Sequence, residues 1–287
     1  MPHLRLTRTE ILGLLESHGL EPSRALGQNF LCDPNTIDKI VRLAGVAAGD
    51  RVVEIGPGLG SLTLGLVDAG AEVTAVEIDR YLIPPLTEVV AGHPVTVVHG
   101  DALTLDWPSI LVPSTTGGPD TWSVVANLPY NVATPLVLDL LAARPEFSRW
   151  LVMVQREVGE RLAAAPGGRT CGIPSVLVSY WGEANVVGRV SADVFHPKPR
   201  VESVLVRIER AAVPRVDADF HRLSTLVRAG FGQRRKMLRR SLSAHLTSDQ
   251  IEACEVAPTA RAEELDLEAW GRLARFEAGP TGSTFGT

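Results

Sequence analysis

The chain has 287 residues and a net charge of −5, enough for one large α/β domain with a small appendix. No apolar run is long enough to span a bilayer, and the N-terminus enters an amphipathic pattern without the apolar core of a signal peptide, so no membrane partner and a cytoplasmic location are expected. Cys32, Cys171 and Cys254 lie far apart, none in a CxxC pair and none near a histidine at zinc spacing, which leaves reduced thiols and no metal site as the expectation.

Thr7-Arg8-Thr9-Glu10 reads as a capping box and Gly19 as a stop, predicting a short helix between them. Asp33 then caps a second helix, with Pro34 at its first position and Gly45 ending it. From residue 51 strands and helices alternate. The apolar runs Val52–Ile55, Val73–Ile78, Val95–Val98, Trp122–Ala126 and Trp150–Val154 predict buried strands, as in a parallel sheet covered on both faces. Ile83-Pro84-Pro85 falls where a helix should begin, and prolines fit only a first turn, so that helix is expected to start late or to kink. Ala184–Val190 and Ser203–Ile208 flank a loop and are expected to pair as a late antiparallel hairpin, making seven strands with the last antiparallel.

Arg210–Val216 reads as a linker. Beyond it, helices are expected over His221–Gly230, Gln233–His245, Ser248–Cys254 and Leu267–Ala278, the last capped by Asp266. The expected organisation is therefore an α/β domain over 1–210, a small helical domain over 211–279 and a disordered tail over 280–287.

The first strand ends in Glu54-Ile55-Gly56-Pro57-Gly58-Leu59-Gly60. Glycines at Gly56 and Gly58 permit a tight turn and a close approach of ligand to backbone. The spacing differs from the dinucleotide pattern, and an acid at Glu54 would repel a pyrophosphate while tolerating a ligand that carries an ammonium and a sulfonium. The second strand ends at Glu77, where an acid about 20 positions after such a turn grips ribose hydroxyls. The third ends at Asp101, placed for an adenine ring. Any one of these could be a solvated strand-end acid. The set, on one sheet edge, reads as an adenosine-type site without phosphate. Glu-Ile-Gly-Pro-Gly-Leu-Gly, Glu-Ile-Asp and Gly-Asp-Ala together resemble the S-adenosylmethionine site of class I methyltransferases, which implies a Rossmann-like α/β fold and that cofactor.

The fourth strand ends in Asn127-Leu128-Pro129-Tyr130, which resembles the signature of rRNA adenine dimethyltransferases. The lone pair of an adenine N6 amine is delocalised into the ring. Two acceptors aimed at its two hydrogens favour pyramidal geometry and localise that pair. The Asn127 side-chain oxygen and the Leu128 carbonyl suit this, because Pro129 fixes the turn and has no competing N–H. Tyr130 offers a stacking face. A plain β-turn with a buried aromatic is the bland alternative. By the same resemblance, Phe195 in Phe195-His196-Pro197-Lys198-Pro199-Arg200-Val201 covers the opposite face of a flipped base, with core packing as its alternative role, and Asn29 and Leu31 touch the cofactor.

Residues 228–240 hold six basic residues and no acid. On a helix Leu238, Leu242 and Leu246 would share a face, leaving Arg235, Lys236, Arg239 and Arg240 on the others; with Arg234 they form the expected phosphate contact of an otherwise acidic chain. The resemblance runs from about Arg24 to Ala274 and is strongest to the small-subunit branch of the family, implying dimethylation of two adjacent adenines near the 3′ end of 16S rRNA, the small ribosomal subunit as partner, and a role in its assembly. The chain departs from the family at Ala133 and Cys171. A large-subunit methyltransferase of the macrolide-resistance type, a non-catalytic assembly factor and, more remotely, an NAD-dependent oxidoreductase stand as alternatives. A monomer is expected.

Overall fold

The computed structural model describes residues 5–23, 25–111 and 121–276; the expected disordered tail lies outside them. The chain divides into two compact units, one of residues up to 163 with 183–210, the other of residues 164–182 with those from 211 on. In the first, seven strands among the described residues build one sheet: β1 (Arg51–Ile55), β2 (Glu72–Glu77), β3 (Val95–His99), β4 (Trp122–Asn127), β5 (Phe147–Gln155), β6 (Gly182–Val190) and β7 (Ser203–Arg210). Their order is β3-β2-β1-β4-β5-β7-β6. The first five run parallel, and β7 returns antiparallel to β5, in register from Arg149↔Glu209 to Gln155↔Ser203. Every residue of β1 is buried, as the near-continuous apolar run requires of a strand with both faces covered.

Helices α1 (Arg8–Ser17), α2 (Pro34–Ala44), α3 (Ser61–Asp68), α4 (Ile83–Val89), α5 (Trp107–Ile110), α6 (Ala133–Ala143) and α7 (Arg156–Leu162) belong to this unit. Their ends follow local chemistry. Thr7 and Glu10 exchange the two hydrogen bonds of the capping box. Asp33 accepts from the Thr36 N–H, and Gly45 closes α2 with φ +65°. The structure corrects one expectation here: α4 begins at Ile83 itself, without a delayed start. Pro84 and Pro85 both lie in its first turn, where no intrahelical N–H is needed. Layers meet at glycines: a Cβ on Gly159 of α7 would lie 2.2 Å from Val204 of β7.

The second unit holds α8 (Ile173–Trp181), α9 (Phe220–Gly232), α10 (Leu238–Ser241), α11 (Ser248–Ala253) and α12 (Leu267–Arg275). A single cut after residue 210 therefore misses α8. That helix buries Val176, Leu177, Val178 and Tyr180 and packs on α9 and α12. The stretch read as a linker is also anchored. The Ala211 and Arg215 N–H groups donate to the Trp181 and Tyr180 carbonyls at 2.9 Å, and Val216 is buried. Trp270 is fully buried, stacked on Phe231 with ring centroids 6.1 Å apart.

The predicted helix over 233–245 does not form as one element. Residues 233–236 make a turn, and α10 spans only Leu238–Ser241. The Leu238 and Arg239 N–H groups donate to the Ala260 and Pro258 carbonyls, which takes them out of a continuing helical ladder. Leu238, Leu242 and Leu246 are nevertheless all buried, joined by successive i→i+4 bonds.

Candidate cofactor cleft and acceptor corner

The carboxyl ends of β1, β2 and β4, the loop after β3 and residues 26–31 surround a cleft of about 970 Å³, its open mouth included. Parallel strands finish on one edge, so side chains far apart in sequence meet there. Asn29, Leu31, Gly56, Gly58, Glu77, Asp101, Asn127, Leu128, Pro129 and Tyr130 all line it.

Gly56 and Gly58 adopt φ +70° and +59°, a region that L side chains rarely enter. A Cβ on Gly58 would stand 3.0 Å from the Phe30 ring. Glu77 holds this turn: Oε2 accepts the Gly58 N–H at 3.1 Å and Oε1 the Asp79 N–H at 2.9 Å. Burial pushes the Glu77 carboxyl above the usual range, and those backbone bonds partly offset it. Asp101 accepts the Leu103 N–H at 2.9 Å, closing the turn after β3.

Glu54 also lines the cleft but differs from the expectation of a charged group there. It is fully buried and accepts from the Thr63 hydroxyl at 2.6 Å. Burial, reinforced by the nearby Glu77, pushes its pKa up to about 8, so the neutral acid dominates at pH 7.

The acceptor corner follows β4. The Asn127 Nδ2 donates to the Asn29 carbonyl at 3.1 Å. A carbonyl accepts only from the NH₂ end of the amide, so Oδ1 is turned the other way. The Leu128 N–H donates to the Met153 carbonyl, and Val132 N–H closes the turn onto the Pro129 carbonyl. Among the described residues no hydrogen bond engages either Asn127 Oδ1 or the Leu128 carbonyl. Tyr130 is half-buried, its hydroxyl 2.6 Å from Ser203 Oγ. Burial raises the phenol pKa further above neutrality, so it stays protonated.

Phe195 is not brought to this corner. It is fully buried in the core with Leu31, Ile37 and Leu205. The cause is a short antiparallel ribbon in which Phe30–Leu31 pairs with Phe195–His196, turning the ring inward. The burial matches the core-packing alternative and not a ring exposed for a base. The basic residues lie in the second unit, outside the cleft lining. Arg234, Arg235, Lys236, Arg239 and Arg240 are all exposed, and Arg234 is ion-paired with Glu263.

Three residues escape sequence reasoning. Gln28 donates to Asp79 and accepts from the Ser23 N–H, both at 2.7 Å, tying the 23–31 loop to the end of β2. Ile78 lines the cleft yet is 51% exposed; as the last residue of an apolar run it resembles core. Ser203 sits among the apolar residues of β7 and carries no pattern of its own. Among the described residues no group of three or more His, Cys, Asp or Glu could hold a metal ion, and no helix is long and apolar enough to cross a membrane.

Comparison with known proteins is consistent over most of the chain. The family profile described as ribosomal RNA adenine dimethylase matches residues 21–278. A Leifsonia xyli protein described as ribosomal RNA small subunit methyltransferase A is 46% identical, covering 96% of this chain and 99% of its own. A Cutibacterium acnes protein of the same description is 44% identical, covering 94% and 92%. Among solved structures, a dimethyladenosine transferase from Plasmodium falciparum superposes with a TM-score of 0.69 at 25% identity, covering 85% of this chain and 95% of its own. The 23S rRNA methyltransferase ErmE gives 0.64 at 27% identity, covering 85% and 98%. The chain belongs to the ribosomal RNA adenine dimethylase family.

Proposed function

We propose that the protein dimethylates the N6 amines of adenines in the rRNA of the small ribosomal subunit, on two adjacent adenines near its 3′ end, with S-adenosylmethionine as methyl donor. The observation that carries this reading is the orientation of Asn127. Its NH₂ is spent on the Asn29 carbonyl, so Oδ1 and the Leu128 carbonyl, on two neighbouring residues that line the cleft, remain as two acceptors.

The cleft residues fit the cofactor. The positive-φ glycines Gly56 and Gly58 line the cleft without side chains, so a ligand can approach their backbone closely. Ile78 presents apolar surface to a flat ring, with Asp101 on the same lining and Glu77 at the end of β2 for hydroxyls. When bound, the cofactor supplies an electrophilic methyl group. The protein's own part is placement and charge. Asn127 Oδ1 and Leu128 O accept the two amine hydrogens and stabilise the nitrogen as it becomes positive. The Pro129 turn holds these acceptors in one geometry. The face of Tyr130 takes the base, a contact worth about 1–3 kcal/mol elsewhere. The released proton passes to water. Arg234, Arg235, Lys236, Arg239 and Arg240 are proposed to contact rRNA phosphates. The protein is proposed to act as a cytoplasmic monomer.

The competing target is a large-subunit adenine, and the likeness to ErmE is what favours it. Incubating the protein with tritiated cofactor and separately purified, unmodified ribosomal subunits distinguishes the two. Label is expected in the small-subunit rRNA as dimethyladenosine. Label confined to large-subunit rRNA would reject the proposal.

A further inference from the structure

We propose that Ser203 is a positioning residue for methyl transfer: its hydroxyl anchors the tip of Tyr130 and so sets the plane of the ring on which the target base stacks. This rests on the reading of Tyr130 as the stacking face.

Ser203 is the first residue of β7 and is fully buried. Because β7 runs antiparallel to β5, its first residue arrives at the edge where the parallel strands finish, opposite Gln155. Asn127 of β4 reaches the same edge, in register with Met153 of β5. The topology thus delivers one hydroxyl from 73 residues farther along the chain to the acceptor corner. The Val204, Leu205 and Val206 that follow are all buried and apolar. A serine at the head of such a strand contributes little to packing, and a buried hydroxyl needs a partner. The Tyr130 hydroxyl, 2.6 Å away, is that partner.

The backbone of Tyr130 is already fixed by the Pro129 turn. What the turn leaves free is rotation about the side-chain torsions, which swings the ring and tilts its face. A hydrogen bond at the phenol oxygen, the atom farthest from the backbone, restrains both torsions. That bond engages the phenol oxygen and not a ring face, and Tyr130 still lines the cleft. The phenol remains protonated, as befits an anchor and not a proton acceptor. A ring held in plane keeps the bound base in the geometry that methyl transfer requires, so the restraint acts on the transfer step and not on binding.

The test is a mutant cycle on the full-length protein with small subunits as substrate. Ser203→Ala, Tyr130→Phe, the double variant and Tyr130→Ala are compared in kcat, KM and cofactor affinity by calorimetry, with melting temperatures alongside. Losing one hydrogen bond of ordinary strength in the transition state predicts about a fivefold drop in kcat for Ser203→Ala. Tyr130→Phe should match it, and the double variant should be no worse than either, with KM and cofactor affinity unchanged. Multiplied effects, about 25-fold in the double variant, would show that the two hydroxyls act separately and overturn the proposal. An unchanged kcat in Ser203→Ala or Tyr130→Phe beside a crippled Tyr130→Ala would overturn positioning and leave stacking intact. Full activity in Tyr130→Ala would remove the stacking reading itself. If Ser203→Ala does not fold, Tyr130→Phe alone decides, because it deletes the same bond and keeps the ring.

Discussion

Glu54 is an acid placed where charge is costly, and its consequence is measurable. Its folded pKa, about 8, lies above the ordinary carboxyl value of 4.5, so the folded state keeps a proton that the unfolded chain releases. Stability is therefore full below the unfolded value and falls as pH rises from about 4.5 towards 8. Glu54→Gln cannot ionise. Its melting temperature relative to the parent protein should climb steadily between about pH 5 and pH 8.5, and parallel melting curves across that range would contradict the burial argument. Single residues also mark the limit of what the sequence discloses. Glu77 and Asn127 at strand ends, and Asp101 in the turn just after β3, are legible because parallel strands must finish on one edge. The protonation of Glu54 is not, since it depends on how completely the fold buries the carboxyl, with Thr63 opposing and Glu77 reinforcing that effect. Phe195 eludes the sequence for a similar reason: its orientation is set by pairing with Phe30–Leu31, which no local pattern encodes.

Elements are legible where a local rule decides them. The five parallel strands are apolar runs between helices, and α1 and α2 carry their caps in the sequence. The 233–245 stretch defeats the same reasoning. Its periodicity is helical, but the carbonyls of Pro258 and Ala260 compete for its N–H groups. The approach of α7 to β7 is equally hidden. Adding a Cβ at Gly159 would force it to 2.2 Å from Val204 and 3.0 Å from Val206. Such overpacking costs about 1–3 kcal/mol, against roughly 1 kcal/mol gained in helix propensity. Gly159→Ala is expected to lower the denaturant midpoint; a midpoint raised by the full gain in helix propensity would mean the layers do not touch there.

On the scale of the whole molecule, charge and chemistry are divided between the two units. The chain carries −5 overall, yet Arg235, Lys236, Arg239 and Arg240 stand exposed in a short span of the second unit. On the proposed reading this local positive surface contacts rRNA phosphates, and affinity for rRNA should then fall steeply with salt. Replacing Arg234, Arg235, Arg239 and Arg240 with alanine should flatten the plot of log affinity against log salt by about 0.7–0.9 for each phosphate that is no longer neutralised, and cofactor binding should survive. An unchanged slope would place the RNA interface elsewhere. Composition alone hides this feature, because the acidic remainder of the chain outweighs it.

The acceptor corner is open to direct observation in a crystal structure with S-adenosylhomocysteine and an adenine-bearing oligonucleotide. The target N6 should lie within about 3.2 Å of both Asn127 Oδ1 and the Leu128 carbonyl, with the base against Tyr130. A target amine bound elsewhere, with that corner facing solvent, would contradict the proposed chemistry.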